Sequence, residues 1–267
     1  MVLIAIVDTH CHLDFQSFEA DREAVLERAW MSGLRRVLNP GIDPASSQAA
    51  ISLSDRHQQV YAAVGVHPND ADCWSDVVYR KIRQLAGHPK VVAIGEIGLD
   101  YYHKKVAQEI QYRALIEQLE LATDLDLPVV IHNREASEDL LGILSDWAGR
   151  VENTNQPNSR PRGVLHSFSG SLENAHQAMA MRFLIGFSGP LTFQNAKGLR
   201  ETAAKIPLEA VLVETDAPFL TPHPYRGKRN EPVNVRLVVE KLAEIHSLPI
   251  DEVARITNTN AEKLFKW

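Results

Sequence analysis

The chain has 267 residues, of which 45% are hydrophobic and 23% are charged. This is the composition of an ordinary globular protein, and it excludes a disordered tail protein and a fibrous repeat. There are 28 Lys and Arg residues against 34 Asp and Glu residues, which gives a net charge of −6. That balance argues against a protein that grips nucleic acid through a broad basic face, although a few basic side chains and metal ions could still hold phosphates locally.

The two cysteines, Cys11 and Cys73, provide no disulfide framework and indicate a reducing compartment. The apolar segment 2–7 is too short for a signal peptide or a membrane span, and no basic residues precede it. We therefore expect a cytoplasmic protein whose first apolar segment is a buried strand.

Short apolar, β-branched runs recur along the chain, and each ends at a polar or glycine-containing cluster before a helical pattern begins. Near-continuous apolar runs are typical of parallel strands covered on both faces. Amphipathic stretches lie between them, for example at 21–31 and 110–125. The predicted strands are 3–7, 36–38, 61–64, 91–94, 128–131, 163–165, 183–186 and 210–213.

This alternation of strands and helices predicts a closed (β/α)8 barrel, which we expect to occupy residues 1–267 as a single α/β domain. The main alternative is an open doubly wound sheet. Such a sheet would carry a glycine-rich phosphate-binding motif after its first strand. Here that strand ends in Asp-Thr-His-Cys-His (8–12), which favours the barrel.

Two loops and the end of the chain complete the predicted organisation. The polar segment 152–162 is predicted to be a surface loop, and the segment 221–232 is predicted to lie over the barrel mouth. Helices are expected at 235–245 and 251–256, followed by a last turn from Ala261 that Thr259 and Glu262 cap.

In a (β/α)8 barrel the groups that carry out chemistry come from the C-terminal ends of the strands. His10 and His12 follow the first strand, and residues two apart point to the same side, so both enter the barrel mouth while Cys11 points away. The other candidates at strand ends are His67, Glu96, Asp100, His132, His166, Glu214 and Asp216.

Imidazole and carboxylate ligands together suit Zn, Mn, Fe, Co or Ni and, with several carboxylates, also Mg. A His-x-His pair or a histidine before proline also occurs in purely structural settings. A lone carboxylate on an apolar run, as at Glu96, must be paired or bind a metal. Because five or six ligands exceed what one ion needs, we expect two ions bridged by Glu96, with Asp216 accepting a proton from water.

Seven ordered motifs span nearly the whole chain. They are Asp-Thr-His-Cys-His-Leu-Asp (8–14), Gly-Val-His-Pro (65–68), Gly-Glu-Ile-Gly-Leu-Asp-Tyr-Tyr (95–102), His-x-Arg (132–134), His-Ser-Phe-Ser-Gly (166–170), Glu-Thr-Asp-Ala-Pro (214–218) and Arg-Gly-Lys-x-Asn-x-Pro (226–232). Together they resemble the TatD family of metal-dependent hydrolases, in its short YcfH-like branch. The resemblance implies a (β/α)8 barrel of the amidohydrolase superfamily that cleaves DNA phosphodiesters, typically as a 3′→5′ exonuclease.

The family pattern also implies roles for individual residues. His67 would lie near the scissile phosphate as a donor or proton shuttle, so that Asp216, Glu96 and His67 are the expected catalytic residues. Glu214 and Asp100 would support the ligands or hold a third ion. Two divalent ions (Mg, Mn or Zn) are implied, one held by His10, His12, Glu96 and Asp216 and the other by Glu96, His132 and His166.

Substrate contacts are expected from basic and aromatic residues at the rim. Arg134, Arg226 and Lys228 are able to bind phosphate oxygens. Tyr101 and Tyr102 directly follow Asp100 and are expected to stack on an unpaired base, and of the two Tyr101 is assigned to the site. The acidic net charge and the lack of a groove-reading motif predict that a monomer binds DNA or oligonucleotide 3′ ends without sequence specificity and does not bind membranes.

The alternative function is a metal-dependent amidase, lactonase or ester hydrolase acting on a small molecule. Enzymes of that kind often bridge their ions with a carboxylated lysine at the fourth or fifth strand. Glu96 and His132 occupy those strand ends here, which favours the phosphodiesterase. A metal-binding scaffold without activity would not require so many polar groups at one rim and ranks last.

Overall fold

The computed structural model describes residues 4–152 and 160–267, and Leu3 of the first predicted strand and residues 153–159 of the predicted loop lie outside them. In the described part, eight parallel strands pair with their neighbours in chain order, which confirms the predicted (β/α)8 barrel. The strands are β1 (Ile6–Asp8), β2 (Leu34–Pro40), β3 (Val60–Val64), β4 (Val91–Asp100), β5 (Val129–Arg134), β6 (Gly163–Leu165), β7 (Phe183–Phe187) and β8 (Val211–Val213).

Helices connect the strands and cover the outside of the barrel. Local sequence signals start them: the Asp43 carboxylate accepts a hydrogen bond from the Ser46 N–H at 2.7 Å, and Pro44 occupies the first helical position of the second helix. None of the described helices combines the length and the apolar character that crossing a bilayer requires. The helices are α1 (Arg22–Met31), α2 (Pro44–Arg56), α3 (Asp76–Ala86), α4 (Gln108–Leu125), α5 (Ser137–Glu152), α6 (Leu172–Ala180), α7 (Lys197–Ala203), α8 (Val235–His246) and α9 (Ile250–Phe265).

The end of the chain differs from the prediction. Instead of a short helix and a separate capped turn, α9 runs without a break. The Thr259 hydroxyl donates to the Arg255 carbonyl one turn earlier, at 2.8 Å, so it does not cap a new helix. A Thr-x-x-Glu pattern inside an amphipathic segment is therefore compatible with an uninterrupted helix.

The barrel closes between the first and last strands. The Thr9 N–H donates to the Val213 carbonyl at 3.1 Å, and further along the Asp216 N–H donates to the His10 carbonyl at 2.8 Å. The Asp8 carboxylate also links the two strand ends, because it accepts hydrogen bonds from the Thr215 N–H (2.9 Å) and the Thr215 hydroxyl (2.6 Å). We refer to this set of contacts between residues 8–12 and 213–217 as the seam.

Apolar side chains from every strand fill the inside of the barrel, among them Val130, Val164 and Leu212. The end of α9 closes the floor, because Phe265 and Trp267 pack into the same cluster. Since side chains two residues apart share one face of a strand, the interior pattern continues upward into polar residues. His132, His166 and Glu214 each follow an interior residue by two positions and so point into the mouth.

One glycine fits β4 against β5 beside this mouth. Gly98 has φ +151°, and a Cβ atom there would lie 2.0 Å from the carbonyl oxygen of His132. The two residues are also paired in register. Only glycine allows this close approach of the two backbones.

We expect Gly98→Ala to lower the free energy of unfolding by at least about 2 kcal/mol, because the new methyl group meets backbone rather than a flexible side chain. Gly142→Ala in α5 is the matched control, since a Cβ there meets nothing within 4 Å. Its free energy of unfolding should stay the same or rise by up to about 1 kcal/mol. Urea denaturation of both variants checks this, and equal stabilities would contradict the close approach.

Candidate metal centre

Glu96 lies at the middle of the barrel mouth and is only 3% exposed. Its Oε2 atom faces the pair of histidines that follows β1, 3.3 Å from His10 Nε2 and 3.6 Å from His12 Nε2. Its Oε1 atom faces the other side, 2.8 Å from His132 Nδ1 and 2.9 Å from His166 Nε2. One carboxylate thus contacts two groups of histidines.

Asp216 completes the group on the seam side. Its Oδ1 atom lies 3.7 Å from His10 Nε2 and 3.6 Å from His12 Nε2. The ring of His12 is oriented by the Pro40 carbonyl, which lies 3.2 Å from Nδ1. When the Nδ1 N–H donates to that carbonyl, Nε2 carries no proton. Its lone pair then faces the space beside the two carboxylates and is available to a metal ion.

His67 lies on the opposite side of Glu96, with Nε2 3.6 Å from Oε1. The Asn69 N–H donates to His67 Nδ1 at 3.1 Å, so the neutral ring carries its proton on Nε2. His67, Glu96 and His132 offer ligand atoms close enough to share one ion, as do His10, His12 and Glu96. The structure therefore brings together all the ligand residues that the sequence predicts.

Burial and mutual charge set the protonation of the centre. Burial opposes the charge on Glu96, but the imidazoles of His166 and His10 outweigh it and hold its pKa well below the usual value. Burial and the neighbouring His166 lower the pKa of His10, and burial and His132 lower the pKa of His67 to about 3. Burial opposes the charge on His166 and His132, but Glu96, together with Glu214 and Asp100, outweighs it and raises the pKa of both imidazoles. A metal ion at this centre would compete with those protons.

The donor set fits divalent cations. In the described part of the chain, no lysine or arginine forms an ion pair with Glu96, Glu214 or Asp216, although these carboxylates are largely or fully buried. Burial raises the pKa of Asp216 to about 6, which shows how poorly this carboxylate is compensated by the protein alone. Buried carboxylates that face histidines rather than lysine or arginine suit a divalent cation, which supplies positive charge in place of the imidazole protons.

A third cluster of potential ligands lies deeper and consists of His10, His166 and Glu214. All three are buried, and each has one polar atom without a hydrogen-bond partner among the described residues: Nδ1 of each histidine and Oε2 of the glutamate. The other oxygen of Glu214 accepts a hydrogen bond from the Ser167 N–H. Glu214 is therefore placed both to support His166 and to contact a further cation.

Asp100 is fully buried below the rim and acts as an acceptor for several groups at once. Its Oδ2 atom lies 3.3 Å from His132 Nε2 and 2.7 Å from His103 Nδ1, and it accepts from Asn69 Nδ2 at 3.0 Å. Its Oδ1 atom accepts from the backbone N–H groups of Tyr102 and His103. Asp100 therefore orients the ring of His132 and fixes the loop that follows β4.

The centre opens into a cleft of about 620 Å³. The walls differ in chemistry: Phe15 and Phe219 lie on the side of β1 and β8, whereas Tyr102, Lys105 and Arg134 lie on the side of β4 and β5. The Arg134 guanidinium lies over the Tyr102 ring, 4.8 Å from its centroid. Arg134 thus lines the cleft as predicted from its position after β5.

Three predicted substrate contacts lie elsewhere. The Tyr101 hydroxyl donates to Tyr112 at 2.6 Å and to Asp139 at 2.7 Å, outside the cleft lining, whereas Tyr102, the other predicted stacking residue, lines the cleft. Arg226 lies 3.9 Å above the ring of Phe193, and Lys228 lies near Tyr225, so neither lines the cleft. Sequence position gives an approximate place on the rim but not the direction of a side chain in a loop.

Sequence analysis also missed residues of the site. Lys105 and His103 line the cleft although they follow β4 by several residues, and Phe15 and Phe219 lie three residues after the ligands His12 and Asp216. A sequence signal did exist for the phenylalanines, since an apolar residue in a polar loop next to ligands needs an explanation. No comparable signal marks Lys105.

We expect Asp100→Asn to weaken divalent-metal binding by about 10- to 100-fold, because the ring of His132 loses its charged acceptor. Asp70→Asn is the matched control: it removes a carboxylate that also lines the cleft but that accepts no side-chain hydrogen bond from the described residues. Metal titration by calorimetry should show less than about a threefold change for this control. Equal losses in the two variants would mean that cleft charge, not ligand orientation, decides affinity.

The chain is similar in sequence to known proteins over nearly its whole length. The family model described as TatD related DNase matches residues 7–266. The uncharacterized metal-dependent hydrolase YabD of Bacillus subtilis is 41% identical over 261 residues, which cover 98% of this chain and 99% of YabD. The 3′-5′ ssDNA/RNA exonuclease TatD of Escherichia fergusonii is 33% identical over 263 residues, 97% of this chain and 98% of that protein.

Similarity extends to three dimensions. The crystal structure of YJJV, a TatD homolog from Escherichia coli K12, matches this chain with a TM-score of 0.91 and 35% identity, and each chain is covered to 100%. The family match, the sequence identities and the structural match each cover nearly the whole chain. The chain therefore belongs to the TatD family of metal-dependent hydrolases.

Proposed function

We propose that the protein hydrolyses phosphodiester bonds at the 3′ ends of DNA strands, as a 3′→5′ exodeoxyribonuclease with two divalent ions. The observation that carries the proposal is the position of Glu96 between two groups of histidines, which suits a pair of ions that share a carboxylate. Divalent ions at such a centre lower the pKa of water and stabilise the charge on phosphate oxygens. The name of the Escherichia fergusonii relative supports the same activity.

The protein's own side chains have separable roles in this proposal. Asp216 Oδ1 lies beside His10 and His12 and is the expected acceptor of the proton from the attacking water. His67 carries its proton on Nε2 and is the expected donor to a phosphate oxygen or the leaving group. Arg134 and Lys105 provide positive charge on the cleft wall for the phosphates that follow.

Mg, Mn and Zn all suit the mixed nitrogen and oxygen ligands, so we propose two of these divalent ions without choosing among them. The acidic net charge of −6 and the small number of cations at the cleft favour binding of a chain end rather than of a long duplex. Hydrolysis of a small ester or amide at the same centre is the outcome that the first experiment below would reveal instead.

We expect Glu96→Gln to reduce DNA cleavage by about 10²- to 10³-fold, because the shared charge between the two histidine groups is lost. End-labelled single-stranded and duplex DNA would be digested with metal-stripped protein after Mg, Mn or Zn is added back singly. Glu120→Gln, which alters an exposed carboxylate of α4, is the control and should cleave like the unaltered protein.

Stepwise loss of nucleotides from the 3′ end that requires metal and Glu96 would support the proposal. If no ion restores cleavage although the protein binds the ion tightly, the phosphodiesterase proposal is wrong and the small-molecule ester or amide substrate takes its place. Full turnover by Glu96→Gln would contradict the bridging role.

We expect Arg134→Ala to raise KM for a single-stranded oligonucleotide about tenfold, because one charged hydrogen bond to phosphate is lost. The slope of log KM against log salt should fall by about 0.7, the value for one phosphate contact on a single strand. Arg226→Ala is the matched control, since its guanidinium lies on Phe193 outside the cleft. An equal rise in KM for both variants would assign phosphate binding to the loop after β8.

A further inference from the structure

Two exposed aromatic side chains lie at the cleft, one on each side of the metal centre. Phe219 is 49% exposed and follows β8, whereas Tyr102 is 53% exposed and follows β4. In an eight-stranded barrel these two strands are diametrically opposite. Exposing a large apolar surface is unfavourable, so such residues beside a site commonly mark a contact with a ligand.

The surroundings of the two aromatic residues differ. One face of the Tyr102 ring is covered by the Arg134 guanidinium, and Lys105 lies on the same wall, so that side of the cleft is cationic. The wall around Phe219 is apolar and contains Phe15, Pro190 and Leu220. The cleft is therefore divided into a side for phosphates and a side for an uncharged planar group.

Phe219 is held in a fixed position relative to the ligands. Its N–H donates to the Asp216 carbonyl at 2.8 Å, and its own carbonyl accepts from the buried Asn230 side chain at 2.8 Å. Phe15 is tied in the same way, because its N–H donates to the His12 carbonyl at 3.3 Å. Both rings are thus attached to ligand-bearing segments by short turns.

The stacking surface of Phe219 is open. Its ring meets Phe15 edge-on at 5.8 Å and 82°, and it meets His12 edge-on at 6.3 Å and 69°. Phe15 itself stacks on His12 at 4.7 Å and 27°. Among the described residues no aromatic ring lies parallel to Phe219, so its exposed face is available to a flat ligand of about the same size.

We propose that Phe219, braced by Phe15, is a stacking platform for one unpaired nucleobase of the nucleotide whose phosphate lies at the metal centre. The proposal rests on the proposed phosphodiesterase function and defines its substrate as a single-stranded nucleic acid end. A base stacked on Phe219 cannot remain paired or stacked in a duplex. The phosphates of the rest of the strand would lie along Lys105 and Arg134. Because Phe15, Pro190 and Leu220 beside Phe219 carry no hydrogen-bonding side-chain group, stacking on this platform should favour no particular base.

A comparison of substrates with and without a terminal base tests the platform. Cleavage of a single-stranded oligonucleotide with an ordinary 3′-terminal nucleotide is compared with cleavage of one whose terminal nucleotide is an abasic tetrahydrofuran. The measured quantity is the ratio of kcat/KM for the two strands. Phe219→Ala should lower this ratio about tenfold, because stacking on one aromatic ring contributes that much.

Two further variants separate stacking from a structural effect. Phe219→Tyr keeps the ring and should keep the ratio of the unaltered protein. Tyr225→Ala removes another exposed aromatic ring, 45% exposed and outside the cleft lining, and should also keep that ratio. An equal loss on both strands in Phe219→Ala, with the ratio unchanged, would overturn the platform.

A binding measurement keeps this test independent of cleavage. Metal-loaded protein would be titrated with dAMP and with its abasic tetrahydrofuran 5′-phosphate analogue, which carries hydrogen in place of the base. The platform predicts that dAMP binds about tenfold more tightly and that Phe219→Ala removes this difference. Equal affinities would overturn the platform, whereas a base-dependent affinity in a protein that cleaves no DNA would overturn only the proposed function.

Discussion

A buried carboxylate enclosed by imidazoles is the interaction on which the rest of this molecule depends. Glu96 is removed from water at the centre of the barrel mouth, where an isolated negative charge costs several kcal/mol. Its two oxygens face different pairs of histidines, one pair after β1 and the other on β5 and after β6. The position is stable because these imidazoles converge on the carboxylate and balance its charge.

Precision at this centre comes from residues behind the ligands. Asp100 fixes His132 from one side, and the Pro40 carbonyl fixes His12 from the other. Asp8 links the start of the first ligand segment to the start of the last, through hydrogen bonds to His10 and Thr215. Burial raises the pKa of Asp8 to about 8 even though these hydrogen bonds oppose the change. Such supports hold ligands in place before any ion arrives.

The extent to which the sequence predicted the structure follows from periodicity. The apolar runs predicted the barrel because all eight strands are covered on both faces. His132 and His166 were predicted because each directly follows an apolar run, at the end of a strand. Prediction failed where the backbone leaves that period. Tyr101 turned towards Tyr112 and Asp139 instead of the cleft, and no pattern within the loop indicated it.

Long-range packing decided the remaining differences. The basic residues after β8 were expected at the cleft. The Arg226 guanidinium instead packs on the ring of Phe193, which is distant in sequence. Thr259 was expected to begin a turn, but the amphipathic surface of α9 favoured a continuous helix. Both cases depend on a contact partner that a single segment does not specify.

The seam couples metal binding to closure of the barrel. Asp8 and Thr215 are separated by 207 positions, so their contact forms only when the barrel closes, a slow step in a chain rich in distant contacts. His10, His12 and Asp216 come from the two sides of that closure. An ion held by all three therefore binds the closed barrel alone and shifts the opening equilibrium towards it. A higher metal concentration would then increase the population of the closed barrel. It would also increase the protection of the seam amides from hydrogen exchange.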